Sequence, residues 1–525
     1  MCTPIKQSAW IFAVISVSFF CSFDCGAQSG LYGYWFYRAS GTSPAWASGF
    51  VADVNTNCYV VGQFTSATTI NGTTLNNPSG WPNILLLQFR LGHTNAPGWI
   101  KAPTTDYTIA DAKIGCDANF NANIYVAGSF GGTNLTFGTA TLTNYGNIGS
   151  HSDDIFLANY DVNGNFKFLK QAGGTMEDAL GDMVTDSSGD CYLTGVFQSP
   201  TFSAGSSNLV RQSTTGGDCF ALKYDPNGNV LWLESGSYAR GTCIALDSAN
   251  DCYVGGTVLG SSSFDGTSPS NQITTNFLAK YDSAGALLWV RGDIALGKFI
   301  RVDKAQNIYT TGTFSNAARF GNIGLTNNSV STVFLAKYDT NGNVVWANQF
   351  IGLGNDNVTG MAIDTRTNCW VTGYFASENS PTNPVAFVAR FDQSGNLNAF
   401  SQANPNYTTT AAGVAFGSFA RVIPLVCGSY STNFTLGRSF LTNNGNLDIY
   451  AAWCMISPAI SEQTTSTNVI LSWPAADSIG YVLQTNSDLN SGSWANAGGA
   501  VLVNGQVVVT NTISSGVRFF RLSHP

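Results

Sequence analysis

The chain has 525 residues, of which only 10% are charged, and a formal net charge of −8. No stripe of Lys or Arg is present to neutralise phosphates, which excludes a nucleic-acid-binding surface. Three histidines, His93, His151 and His524, and four glutamates leave little material for general acid–base chemistry; Asn, Thr, Ser and Gly carry the surface polarity, as expected of an exported protein.

The N-terminus combines Lys6, an apolar run from Ala9 to Phe20 and a small-residue end at Cys25-Gly-Ala27 before Gln28. This predicts a secretory signal over residues 1–27, cleaved after Ala27. The run is shorter than the ~20 apolar residues of a membrane span, so no transmembrane segment is expected after cleavage. An isolated strand follows, Leu31-Tyr-Gly-Tyr-Trp-Phe-Tyr37.

A phrase then recurs every 55–67 residues. Its marker is a strand ending in Gly: Cys58–Gly62, Ile124–Gly128, Cys191–Gly195, Cys252–Gly256, Ile308–Gly312 and Cys369–Gly373, with a degraded seventh copy at Val422–Gly428. Each copy reads as a short apolar strand ending in Asp, a tight turn, the marker strand, a longer connection, an aromatic-rich strand such as Phe334–Tyr338, and a Trp-bearing strand. The last two are joined by hairpins such as Asp161-Val-Asn-Gly-Asn165, Asp225-Pro-Asn-Gly-Asn229 and Asp339-Thr-Asn-Gly-Asn343, in which Asp and Asn bond back to the backbone and Gly supplies positive φ. Four short strands per copy without helical periodicity predict an all-β protein of four-stranded antiparallel blades, and seven copies predict a seven-bladed β-propeller over residues 28–457. The seventh copy stops after Ile449–Cys454; Trp35 shares the phase of Trp99, Trp232, Trp289 and Trp346, so the N-terminal strand is expected to close the ring.

The phrases Asp-x-Phe-Leu-Ala-Lys-Tyr-Asp-x-Asn-Gly-Asn-Val-x-Trp and Asp-x-x-x-Asn-x-Tyr-Val-Thr-Gly-x-Phe resemble the SBBP-type seven-bladed β-propeller repeat of secreted bacterial proteins, over residues 31–456. The resemblance implies a fold and an extracytoplasmic setting, and it implies no reaction and no catalytic residues.

Nine of the twelve cysteines would remain after signal cleavage. Cys58, Cys191, Cys252 and Cys369 occupy the position of Ile124 and Ile308 in sister copies, Cys219 that of Ile155 and Val333, and Cys116 that of Val302 and Ile363. They are expected to be buried apolar residues, neither a disulfide framework nor metal ligands. Residues 458–467 read as a polar linker. Residues 468–525 carry short alternating strands and the phrases Leu-Ser-Trp-Pro, Tyr-Val-Leu-Gln-Thr and Phe-Phe-Arg-Leu, similar to the small fibronectin-III-like β-sandwich modules that end secreted bacterial proteins.

No catalytic, cofactor-binding or metal-binding set is predicted. Asp53, Asp117, Asp186, Asp247, Asp303 and Asp364 repeat at one strand-end position, the pattern of a turn residue. Gly292–Phe299 matches the glycine and lysine spacing of a phosphate loop, but Phe299 stands where a hydroxyl should hold magnesium and no helix follows. The Asp-x-Asn-Gly-Asn turns offer too few carboxylates for calcium. The leading expectation is a secreted non-enzymatic propeller that binds a protein, glycan or cell-surface partner. Its contact surface would be the connections 131–152, 198–217 and 315–332, with Trp81 or Tyr145 stacking on a sugar. The alternatives are a structural surface or matrix component and a glycan-active hydrolase or lyase. The enzyme would use the acids that break the repeat, Glu177, Asp178 and Asp356, with Asp178 and Asp356 within about 10 Å of each other.

Overall fold

The computed structural model describes residues 9–11, 31–39 and most of 45–523. Outside the described residues lie 1–8, 12–30 and 40–44, and connections including 91–96, 147–151, 270–275, 403–408, 416–424, 442–447, 475–481, 487–493 and 513–518. The described residues form strands and turns and no helix. They fall into two compact units, one spanning Gly33–Asn398 and Gln402–Cys454, the other holding the C-terminal residues from Met455 together with the N-terminal ones.

In the large unit each sequence copy is an antiparallel sheet whose strands pair in chain order. The first sheet is Ala45–Ala52, Cys58–Phe64, Asn83–Phe89 and Trp99–Lys101. The second is Ile109–Cys116, Asn123–Phe130, Asp154–Asp161 and Phe166–Gly173. Sheets three and four share the long strand Val230–Leu246, which leaves one and enters the next. In the last sheet Thr409–Ala415, Leu425–Tyr430 and Asp448–Ile456 are followed by Leu31–Ala39 as the fourth strand. First strands of successive sheets are neighbours throughout, and Thr409–Ala415 lies beside Ala45–Ala52. At that junction the Ser429 hydroxyl accepts a hydrogen bond from the Ala47 amide at 2.9 Å.

The sheets stack face to face, so both faces of a central strand are buried and the strand reads as an unbroken apolar run. Tyr59 and Val61 pack with Ile124, Val126 and Phe156 of the next sheet. Val60 and Cys58, on the opposite face, pack with Cys427 and Ile449. Seven of the eight described cysteines are buried, Cys116 is partly buried, and none of the eight is in a disulfide. The repeated Ala-Lys-Tyr phrase also gains a role: Lys280 lies 4.9 Å from the Tyr253 ring centroid and Lys337 5.0 Å from that of Tyr309.

The connections between second and third strands are more regular than their sequences led us to expect. Each of several contains a β-hairpin: Thr68–Ile70 with Thr73–Leu75, Asn134–Phe137 with Ala140–Thr143, Thr201–Ala204 with Ser207–Val210, and Ala317–Phe320 with Ile323–Thr326. In the last three a hairpin Phe packs on a Phe of the third strand. Phe202 stacks on Phe220 at 4.9 Å, and Phe320 meets Phe334 at the same distance. The second hairpin pairs with Thr104–Thr105 after the first sheet, and the third with Ala172–Gly173 of the second sheet, so they tie neighbours together. What remains irregular among the described residues of these connections is short: residues 76–82, 144–146, 152–153, 211–217, 327 and 329–330.

The small unit has two four-stranded sheets around Val469, Leu471, Trp473, Leu483, Val509 and Phe520. Ser461–Thr464, inside the stretch expected to be a linker, pairs with Val469–Ser472, its Thr-rich edge strand having looked like polar coil. Ala9–Ile11, inside the apolar run read as a signal, pairs with Phe520–Leu522; the rest of that signal expectation lies outside the described residues.

Candidate ligand platform on the loop face

Chain direction divides the large unit into two faces. One carries the turns between first and second and between third and fourth strands; the other carries the longer connections and the links from one sheet to the next. On the turn face the repeated aspartates are fully engaged. Asp53 Oδ1 accepts the amides of Asn55 and Asn57 at 2.8 and 2.9 Å, and Oδ2 accepts the Asn57 side chain and the Tyr59 hydroxyl at 2.7 and 2.8 Å. Asp117, Asp186, Asp247, Asp303 and Asp364 repeat the amide contacts. In the hairpins Asp161 takes three such bonds from Asn163 and Asn165. Burial pulls its carboxyl upward, yet these bonds and Lys167 hold it below the usual carboxylate range. Carboxylates so occupied are turn locks. Among the described residues no group of three or more His, Cys, Asp or Glu converges as a metal site would.

The phosphate-loop look-alike is a plain connection. A Cβ on Gly297 would run into the Thr311 carbonyl, and Phe299 begins a strand. His93, His151 and His524 lie outside the described residues.

On the loop face, two of the three acids singled out by the sequence are buried. Asp178 is completely inaccessible; it accepts the amides of Gln198 and Ser199 at 3.0 and 3.2 Å and the Ser199 hydroxyl at 2.7 Å, fixing the chain after the marker strand. Asp356 is 3% exposed, and its backbone exchanges two 2.8 Å bonds with Ser331 Oγ. Glu177 is exposed and accepts the Gln198 side chain at 3.0 Å. Sequence reasoning missed Asp154, which opens the Asp-x-Phe phrase. It accepts the amides of Tyr145 and Gly174 at 2.7 and 3.1 Å and the Gln171 side chain at 2.6 Å. Burial pushes Asp154 up to about 7, with nearby Asp178 adding to the rise, and burial pushes Asp178 up to about 6 against its hydrogen bonds.

The exposed chemistry of this face is aromatic. Trp81 is 48% and Tyr107 39% exposed, and their rings form a tilted pair with centroids 4.8 Å apart and an interplanar angle of 47°. Trp81 was legible as an aromatic in a connection; Tyr107 was not, though its setting, Thr-Thr-Asp-Tyr-Thr between two sheets, is an aromatic in an otherwise polar run. The backbone holds the pair. Asn77 Nδ2 donates to the Trp81 carbonyl at 2.8 Å, the Trp81 amide donates to Ser79 Oγ at 3.3 Å, and the Ile109 amide donates to the Pro82 carbonyl at 3.1 Å. Tyr145 is 52% exposed and hangs from the Asp154 lock.

Repeated four-stranded antiparallel sheets, packed face to face, make the chain a β-propeller repeat protein. No protein-family model matches it. An uncharacterized WD repeat-containing protein of Acanthamoeba polyphaga mimivirus is 28% identical over 260 residues, covering 38% of this chain and 19% of the relative. The chain thus spans about a fifth of that relative's length. Among solved structures, the Dos1 propeller shares 10% identity at a TM-score of 0.36, covering 80% of this chain and 95% of its own. A neuraminidase-like protein of A/little yellow-shouldered bat/Guatemala shares 8% at 0.35, covering 81% and 99%.

Proposed function

We propose that the chain is a secreted, non-enzymatic, SBBP-type seven-bladed propeller that presents its loop face to an extracellular partner and carries a C-terminal fibronectin-III-like sandwich as an accessory module. The observation that carries this reading is the contrast between the two faces. Turn-face carboxylates are consumed by their own backbone, whereas the loop face holds the exposed pair Trp81–Tyr107 on a backbone fixed by hydrogen bonds. Function rides on connections that a rigid scaffold positions. The placement of Thr409–Ala415 beside Ala45–Ala52, and of Leu31–Ala39 as a fourth strand, supports a closed ring of seven. Export is supported by the N-terminal apolar run and the scarcity of charge.

The test is capture from cell-envelope fractions by the full chain and by two sets of variants. Trp81→Ala and Tyr145→Ala change the loop face; Asn163→Ala and Asn341→Ala change the turn face. Loss confined to the first set supports the reading, and loss confined to the second overturns it. Mass spectrometry of the exported protein should find Gln28 as the first residue; retention of Ala9–Ile11 in the mature chain would contradict the export step.

A further inference from the structure

Resting on the loop-face reading, we propose that Trp81, Tyr107, Asp106 and Asp153 form a carbohydrate-binding site that takes a neutral pyranose unit of a polysaccharide. A pyranose presents a patch of C–H groups on one face and hydroxyl donors around its rim, so its recognition needs an accessible aromatic surface with acceptors beside it. Both are present. The two rings meet at 47° with about half of Trp81 and more than a third of Tyr107 open to solvent. Glycines 131 and 132 bring the acceptors alongside. A Cβ on Gly131 would overlap Asp153 Oδ1 and lie 3.1 Å from Tyr107 Cδ1; one on Gly132 would overlap Asp106 Oδ1 and lie 3.2 Å from the Tyr107 amide.

Asp106 is exposed and makes no hydrogen bond with the described residues, in contrast to the hairpin aspartates Asp161, Asp225, Asp339 and Asp392, each locked by its own turn. The support beneath the rings is set before any ligand arrives. Thr105 Oγ1 accepts the Tyr107 amide at 3.3 Å, and the Thr108 carbonyl accepts the Gly131 amide at 3.3 Å. Such a site loses little ordering entropy on binding. Aromatic rings flanked by carboxylates also attract quaternary ammonium groups, but those are held in cages that enclose the cation. Two open, tilted rings make a platform, which suits a flat sugar ring better.

The experiment uses the full chain on a glycan array and in sedimentation with insoluble chitin, cellulose and peptidoglycan, beside Trp81→Ala, Tyr107→Ala and Asp106→Asn. A trimethyl-lysine peptide serves as the cationic probe. The expected result is retention of at least one glycan by the parent chain. Affinity should fall at least tenfold in Trp81→Ala and Tyr107→Ala and severalfold in Asp106→Asn, with each variant still unfolding in one cooperative transition, so that lost affinity is not lost fold. Glycan binding that survives all three substitutions overturns the site while leaving a loop-face binding function elsewhere. Binding of the trimethyl-lysine peptide with no glycan bound overturns the ligand class. Absence of glycan binding while envelope capture persists overturns the proposal and spares the broader reading; absence of both overturns the two together.

Discussion

The indole of Trp99 donates its Nε1–H to the carbonyl of Val162, 3.2 Å away in the next sheet. The hairpin containing that carbonyl closes over the ring: a Cβ on Gly164 would meet the Trp99 indole at 2.9 Å. The arrangement recurs where Trp232 bonds the Ser283 carbonyl beside Gly285, and where Trp346 bonds the Gln393 carbonyl beside Gly395. The Trp at the end of one copy and the Asx-Gly turn of the next are therefore two halves of one clasp, which explains why both are repeated.

Gly164 has φ +78, a conformation costly for any residue with a Cβ, and the clasp leaves no room for one. Gly164→Ala should destabilise the large unit by roughly 2 kcal/mol or more, and Trp99→Ala by about 3–5 kcal/mol. The double variant should lose clearly less than the sum, since both changes open the same contact. Thermal or denaturant unfolding checks this; additive losses would separate the two residues.

Asp53 should matter more than its hairpin counterparts. Asp53 is 2% exposed and its removal leaves the Tyr59 hydroxyl without its acceptor, so Asp53→Ala should cost about 2–4 kcal/mol. Asp161→Ala breaks a solvated turn and should cost about 1 kcal/mol. The Asp161 carboxyl is held below its ordinary range, so its contribution is present above the unfolded pKa and is lost as pH falls through the folded one. In Asp161→Ala the acid limb of the stability profile should be shallower.

Asp154 and Asp178 have the opposite sign. Their folded pKa values, about 7 and about 6, stand above the ordinary carboxylate value of 3.8. The folded chain then binds more protons than the unfolded one. Their contribution is fully present below pH ~4 and declines as pH rises to ~7, with no further change above it. Asp154→Asn removes one of the two charges and should flatten the stability profile between pH 4 and 7. A profile as steep as that of the parent chain would show that the pair does not titrate there.

The cysteines give a chemical test of burial. Burial pushes the Cys219 and Cys243 thiols up to about 12, and Cys58 and Cys191 are likewise raised, by burial first. A thiol-reactive dye should label almost none of these groups in the native chain and all of them in denaturant. Cys219→Val, which installs the residue found at the equivalent Val333, should change stability by no more than about 1 kcal/mol.

Most of the fold was legible because burial on both faces imposes the same apolar strand on every copy, and because Asp-x-Asn-Gly-Asn carries its turn chemistry in the residues themselves. The hairpins between second and third strands escaped notice. Their pattern, an apolar residue before Gly as in Phe137-Gly138 and Phe320-Gly321, is short and surrounded by polar Thr and Asn. Asp178 looked available since it broke the repeat, but whether a carboxylate is bound by Ser199 depends on a contact 21 residues away that spacing does not reveal. Trp81 was recognisable and Tyr107 was not, for the same reason: the pair joins a connection inside the first sheet to the link that leads into the second, 26 residues on.

The most direct test of the loop-face reading is hydroxyl-radical footprinting of the full chain, read by mass spectrometry, with and without the glycan or envelope fraction that it retains. The account predicts that Trp81 and Tyr107 become protected while Leu231, Leu288 and Val345, exposed beside the hairpin turns, keep their reactivity. Protection centred on the hairpin turns, with Trp81 and Tyr107 unchanged, would contradict it.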